Sequence, residues 1–398
     1  MKTINLDYAA AAPVEPAVLE YMLPYFKEYY GNPSSGHSLG ERPRKALEEA
    51  REKVGILLEA EPKNIIFTSS ASESNNLAIK GLAASAKNKG NHIISSTIEH
   101  FSILNQLKTL QKNGYEVTLI PVDRHGFLSL DKLAEAIKDE TILISIQTAN
   151  PEIGTIQPVE KIAAIAREKG ITFHTDATAA AGWIPLSVEK MGVDLLTLAG
   201  DQFYGPKGTG ALFIRRGVRL TPLIEGGIQE RGLRAGTENV ALIAGMGEAA
   251  RIASENIEQN SKVVAAQRDK LKESLLANVP HLHLNGHPEQ RVPRNLNLSV
   301  EFVEGEALLM RLNMVGIHVS SGSSCTSQAL KSSHVLSAIG VPPELAQGSL
   351  LFTLGKENIA DDIPYITEQL GQVAGLLRNM SPLYHQYLKE AEKNAPVQ

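Results

Sequence analysis

Seven short apolar runs recur along the first part of the chain, and most are separated by segments with helical periodicity. They are NIIFTS (64–69), HIISST (92–97), EVTLIPV (116–122), TILISIQ (141–147), ITFHTDA (171–177), LLTLAG (195–200) and GALFIRR (210–216). Intervening stretches such as ESNNLAIKGLAASAKNKG and PVEKIAAIAREKG repeat their apolar residues at three- and four-residue intervals. Nearly continuous apolar strands alternating with helices predict an α/β fold built on a mostly parallel seven-stranded sheet covered on both faces. Ligands of such sheets sit at the carboxyl ends of the strands. There the polar words TSSASES, STIEH, TANPEIG, HTDATAA and LAGDQ fall, which predicts one binding edge.

Beyond this region the pattern changes. A charged helix over about 255–277 leads into HLHLNG, RNLNLSV and IHVSSGS, with DDIPYITEQLGQVAGLLRNM as a closing helix. This predicts a large α/β domain over 16–258 and a smaller α+β domain made of 1–15 and 259–398, as expected for 398 residues.

Composition narrows the function classes. The net charge of −5, without any basic run, gives no footprint for nucleic acid or an anionic membrane. No apolar stretch approaches the roughly 20 residues of a membrane span, and MKTINLDYAAAAPVEP does not lay out a signal peptide. A single cysteine, Cys325, excludes an internal disulfide framework and fits a reducing cytoplasm.

Several residues carry candidate chemistry. FTSSASESNN turns a strand into a helix, where backbone N–H groups form either an anion site or a simple serine cap. Asp176 ends an apolar strand and either partners a protonated ring nitrogen or caps the next helix. His100 in STIEHFS either stacks on a ring or is a satisfied loop histidine. Cys325 lies in VSSGSSCTSQALKSSHVL, a Ser- and Gly-rich segment better suited to an accessible nucleophile than to a core thiol.

These words occur together, in order and nearly end to end, with LDYAAAAPV, YGNPSSGHSLG, NPEIGTIQPV, YGPKGTGAL, ERGLRAGTENV, VEGEALLMRL and SHVLSAIG. In this the chain resembles the cysteine desulfurases of the class V aminotransferase superfamily, fold type I pyridoxal phosphate enzymes, in the branch serving iron–sulfur cluster assembly. The resemblance implies a homodimer in which pyridoxal phosphate forms a Schiff base with a lysine, cysteine is converted to alanine, and a loop cysteine carries persulfide to an iron–sulfur scaffold protein. Carried across by position, it implies that Cys325 is the persulfide carrier, His100 the ring-stacking residue, Asp176 the ring-nitrogen partner and Asn150 a neighbour of the ring oxygen. Ala71 and Ser72 would help bind phosphate, with Thr237 contributed by the second subunit.

Five positions depart from the family pattern. Gln202 stands at the Schiff-base lysine, and an amide cannot form an imine. Asp201 replaces a phosphate-facing histidine, Ala199 a serine, Ala179 a glutamine, and Leu351 the arginine that fixes the substrate carboxylate. All five changes concern one pocket. They predict a desulfurase-like protein that retains sulfur carriage on Cys325 without lysine-based cofactor chemistry, taking sulfur from sulfide or a persulfide or helping to hold a nascent iron–sulfur cluster through Cys325 and Asp201. The alternative is desulfurase chemistry with a non-covalently held cofactor or another lysine.

Overall fold

The computed structural model describes residues 3–321, 333–357 and 359–393. The twelve strands among these residues are β1 (Ile4–Asn5), β2 (Ile65–Thr68), β3 (His92–Ser96), β4 (Glu116–Ile120), β5 (Thr141–Ser145), β6 (Thr172–Asp176), β7 (Leu195–Ala199), β8 (Gly210–Ile214), β9 (Leu282–Asn285), β10 (Asn295–Val300), β11 (Ile317–His318) and β12 (Ser349–Thr353). Each of the seven apolar runs forms a strand of one sheet, in the order β2-β8-β7-β6-β5-β3-β4. Only β8 runs antiparallel to its neighbours.

Alternate residues of these strands feed different apolar clusters, as helices on both faces require. Ile93 and Leu143 pack with Ile79, Ile103 and Leu107, whereas Ile94 and Ile144 join the main core with Ile162 and Phe173. The edge strand β2 is protected on its open side. Phe67 N–H donates to Glu230 (2.8 Å) and the Ile65 carbonyl accepts from Arg51 (2.8 Å), while Arg51 and Glu230 pair with each other through two contacts of 2.9 Å. A charge pair thus blunts an edge that would otherwise template another strand.

A single helix, Val240–Asn278, runs from the large sheet towards a three-stranded antiparallel sheet of β12-β10-β9. It begins well before the expected residue 255, because its first half, VALIAGMGEAARIA, is too apolar and too rich in small residues to show a charged face. Gly247 is needed there: a Cβ at this position would lie 2.5 Å from Ala50 Cα in the helix Ser38–Leu57. The expected boundary at 258/259 falls inside this unbroken helix. β1 pairs with β11, and Asp7 bridges to Thr353 of β12, so the N-terminal segment is woven into the smaller sheets. The helix Ile363–Asn379 is present as expected but is not the last: Pro382–Lys393 follows it, packing Tyr384 and Tyr387 on Phe302 and His281.

Candidate functional site

The strand ends converge as the sequence predicts. At β2 the chain turns at Ser70, whose hydroxyl accepts from Glu73 N–H (3.2 Å), and enters the helix Ala71–Ser85. Ala71 and Ser72 form its first turn, with Ser72 exposed. The donors at this helix start are partly taken by the protein itself. Glu73 receives the Ser69 N–H (2.8 Å) and hydroxyl (2.5 Å), and Arg234 Nε reaches its other oxygen at 3.1 Å. Burial raises the Glu73 carboxyl, but these bonds outweigh it and hold the group below its ordinary value. Thr237 lies exposed in the loop that Arg234 pins here.

At β6, Asp176 is buried and accepts from Asn75 Nδ2 (2.7 Å) and Thr178 N–H (3.0 Å). The carboxylate secures the following turn through the Thr178 N–H. His100 is the exposed cap of helix Phe101–Lys112, its Nδ1 accepting from Ser102 N–H (3.1 Å). Asn150 is almost fully buried and holds a turn. Its Oδ1 accepts from Glu152 and Ile153 N–H, both at 2.9 Å, and its Nδ2 donates to the Ile98 carbonyl at 3.0 Å.

The tip after β7 is fixed by Gln202. Its Nε2 donates to the Ala9 carbonyl and to Asp201, each at 3.1 Å, and its Oε1 accepts from Arg294 at 2.5 Å. Arg294 is 2% exposed, lies 5.0 Å from the Trp183 ring centroid, and is pushed down to about 10 by burial. Ala199 is buried at the end of β7, and Ala179 lines a small gap with Asn150 and Arg294. Lys207, the nearest lysine in sequence, donates to the Ala12 carbonyl at 3.1 Å. Cys325 lies outside the described residues. Among the described residues no group of three or more His, Cys, Asp or Glu side chains is arranged to hold a metal ion.

Beside these strand ends lies a cavity of about 200 Å³ lined by Asp7, Glu99, His100, Asn150, Glu152 and Leu351, among others. Three carboxyl groups here escaped prediction. Glu99 is fully buried and pushed up to about 8 by burial, against hydrogen bonds from the Ser96 hydroxyl (2.5 Å) and Gln147 N–H (3.1 Å). Glu152 is also pushed up to about 8 by burial, and one of its oxygens accepts from the Ser333 hydroxyl at 2.7 Å. Asp7 is raised by burial and accepts from Ser320. The available signal was an acidic residue inside the words STIEH and NPEIG at strand ends. Arg294 gave none, since a basic residue opening an apolar strand reads as surface.

Comparison with known proteins follows this geometry. The aminotransferase class-V family model matches residues 4–361. Cysteine desulfurase IscS of Methanosarcina thermophila is 49% identical over 382 residues, 96% of this chain and 94% of that protein. Cysteine desulfurase IscS 1 of Archaeoglobus fulgidus is 47% identical over 378 residues, 95% and 98% of the two chains. A solved NifS-like protein superposes with a TM-score of 0.89 at 36% identity, covering 94% of this chain and all of its own.

Proposed function

The chain belongs to the class-V aminotransferase family and, within it, to the cysteine desulfurases, and from that position we propose that it is a sulfur-transfer protein of iron–sulfur cluster assembly that works without a pyridoxal phosphate–lysine Schiff base. The observation that carries the reading is the commitment of Gln202. Its amide is spent on Ala9, Asp201 and Arg294, and among the described residues no lysine lines the adjoining cavity. Tested against pyridoxal phosphate, the residues match at the ring, where Asp176 and His100 stand, and miss at the ends. Among the described residues no lysine lines the cavity to form an imine, and Glu73 occupies the Ser69 donors beside Ala71 and Ser72.

In this reading Cys325 takes sulfur from a small persulfide. A bond forms between the Cys325 thiolate and the terminal sulfur as the donor's S–S bond breaks, and the donor leaves as a thiolate, with no net oxidation. The sulfur then passes to a scaffold protein in the cytoplasm. A homodimer is supported by the exposed residues Leu19, Leu23, Phe26 and Tyr30, in and between the helices Pro16–Met22 and Pro24–Lys27 and just after the second.

The test is direct. The purified protein is expected to show no visible pyridoxal band, to gain no thermal stability from added pyridoxal phosphate, and to release no alanine from cysteine. Incubated with a low-molecular-weight persulfide it acquires one sulfur by intact-mass measurement, and Cys325→Ser abolishes this. The second reading, desulfurase chemistry with non-covalently held cofactor or another lysine, draws on buried Asp176. Alanine release that depends on Cys325 would establish it in place of the first.

A further inference from the structure

We propose that Met310, Met314 and Met380 form a site of reversible methionine oxidation, which turns an exposed face of the helices Gly305–Met314 and Ile363–Asn379 from apolar to polar. The six methionines among the described residues fall into two sets. Met22, Met191 and Met246 are core residues, 5%, 8% and 0% exposed, whereas Met310, Met314 and Met380 are 71%, 71% and 70% exposed. The exposed set is also grouped in space. Met310 and Met314 lie one turn apart on the helix Gly305–Met314, and Met380 caps the helix Ile363–Asn379 that packs against it. The two helices run in opposite directions, since Tyr365 at the start of the second donates to the Val315 carbonyl at the end of the first (2.8 Å). Met380 therefore falls beside the start of the first helix, where it and Ala307 line one groove of about 760 Å³ with Phe302, Leu345, Leu377 and Leu383. Ala307, Met310 and Met314 share a helix face at three- and four-residue spacing, so the apolar strip continues from the groove past both sulfurs.

Core packing does not explain these three side chains, because at such exposure little of their surface leaves water. What methionine offers there, and leucine does not, is a thioether, and its reaction with oxidants follows access to the sulfur. In the step, the sulfur lone pair attacks one oxygen of hydrogen peroxide. An S–O bond forms as the O–O bond breaks, the sulfur is oxidised to the sulfoxide, and the peroxide is reduced to water. A sulfoxide is polar, and dedicated reductases return it to the thioether. Oxidation here replaces an apolar strip by hydrogen-bond acceptors and leaves the packed methionines of the core untouched.

The inference goes beyond the sulfur-transfer reading and stands without it, because peptide mapping assigns sulfoxide to each methionine separately from any change at Cys325. The full-length protein is treated with dilute hydrogen peroxide, digested and mapped by mass. Met310, Met314 and Met380 are expected to oxidise at least about tenfold faster than Met22, Met191 and Met246, whose sulfurs react only when the core opens. The oxidised protein is expected to keep its thermal midpoint to within about 2 °C and to elute earlier from a hydrophobic-interaction column. Methionine sulfoxide reductases A and B together should restore the original retention. In the triple variant Met310→Leu, Met314→Leu, Met380→Leu, peroxide should leave retention unchanged. Comparable oxidation of all six methionines, loss of the fold on oxidation, no recovery with the reductases, or the same fall in retention in the triple variant would each overturn the proposal.

Discussion

Gln202 and Arg294 act as one unit. The glutamine oxygen accepts from a guanidinium that is itself 2% exposed and stacked on Trp183. Gln202→Lys would remove that acceptor and set an ammonium beside a buried cation, a like-charge contact with no water to screen it. The expected loss is about 3 kcal/mol by chemical denaturation. Pairing the change with Arg294→Ala should recover part of it, a coupling that a double-mutant cycle reads directly. An additive result would show that the two positions do not interact. The buried acids make a second prediction at this scale. Glu99 and Glu152 bind protons more tightly folded than unfolded, so the stability they contribute is complete below the ordinary value of 4.5 and is lost as pH rises through about 8. The buried histidines, lowered by burial, have shed their protons by about pH 7. Thermal midpoints should therefore fall between about pH 7 and 8, and Glu152→Gln should reduce that slope to about half.

Among the elements, the helix Val240–Asn278 shows where pattern reading succeeds and where it stops. Its charged second half carries the 3.6-residue period, while its first half is buried nearly all round, so no polar face marks it. Close packing governs that half. Gly247→Ala improves intrinsic helix propensity by about 1 kcal/mol, yet its methyl meets the Ala50 backbone. Overpacking against an immovable partner should win, giving a net loss of about 2 kcal/mol. Gly245→Ala, whose methyl would meet the flexible end of Met22 at 2.5 Å and Pro206 Cγ at 3.2 Å but no backbone, should cost less. Equal melting behaviour of the two variants would refute this. The strands were far more legible, because each is a short apolar run ending in a polar word. The helix Pro382–Lys393 was not, since Met380-Ser381-Pro382 reads as a stop and its packing on His281 and Phe302 is set by tertiary contacts. In the site, the strand-end words gave Asp176, His100 and Asn150 their places. The partners of Gln202 and Glu73 were invisible, because Arg294 and Arg234 come from distant parts of the chain.

At the scale of the whole molecule, an apolar stripe near the start of the chain lies exposed. Leu19, Leu23, Phe26 and Tyr30 are between 49% and 68% exposed, more than a freely soluble surface places in line. Under the proposed function a second copy of the chain covers it. Sedimentation should give twice the chain mass of 43.0 kDa, and Phe26→Glu should shift the equilibrium towards single chains. A wild-type monomer would remove the dimer from the proposal. The last consequence comes from Glu73. A carboxylate of the chain's own, held by Ser69 and Arg234, supplies the negative charge that the start of its helix attracts. Under the proposed function, the fold is complete without a bound vitamin B6 derivative. Under the same proposal, cells grown without vitamin B6 are expected to hold as much of this chain as replete cells, which quantitative immunoblotting checks; a loss on deprivation would count against the cofactor-free reading.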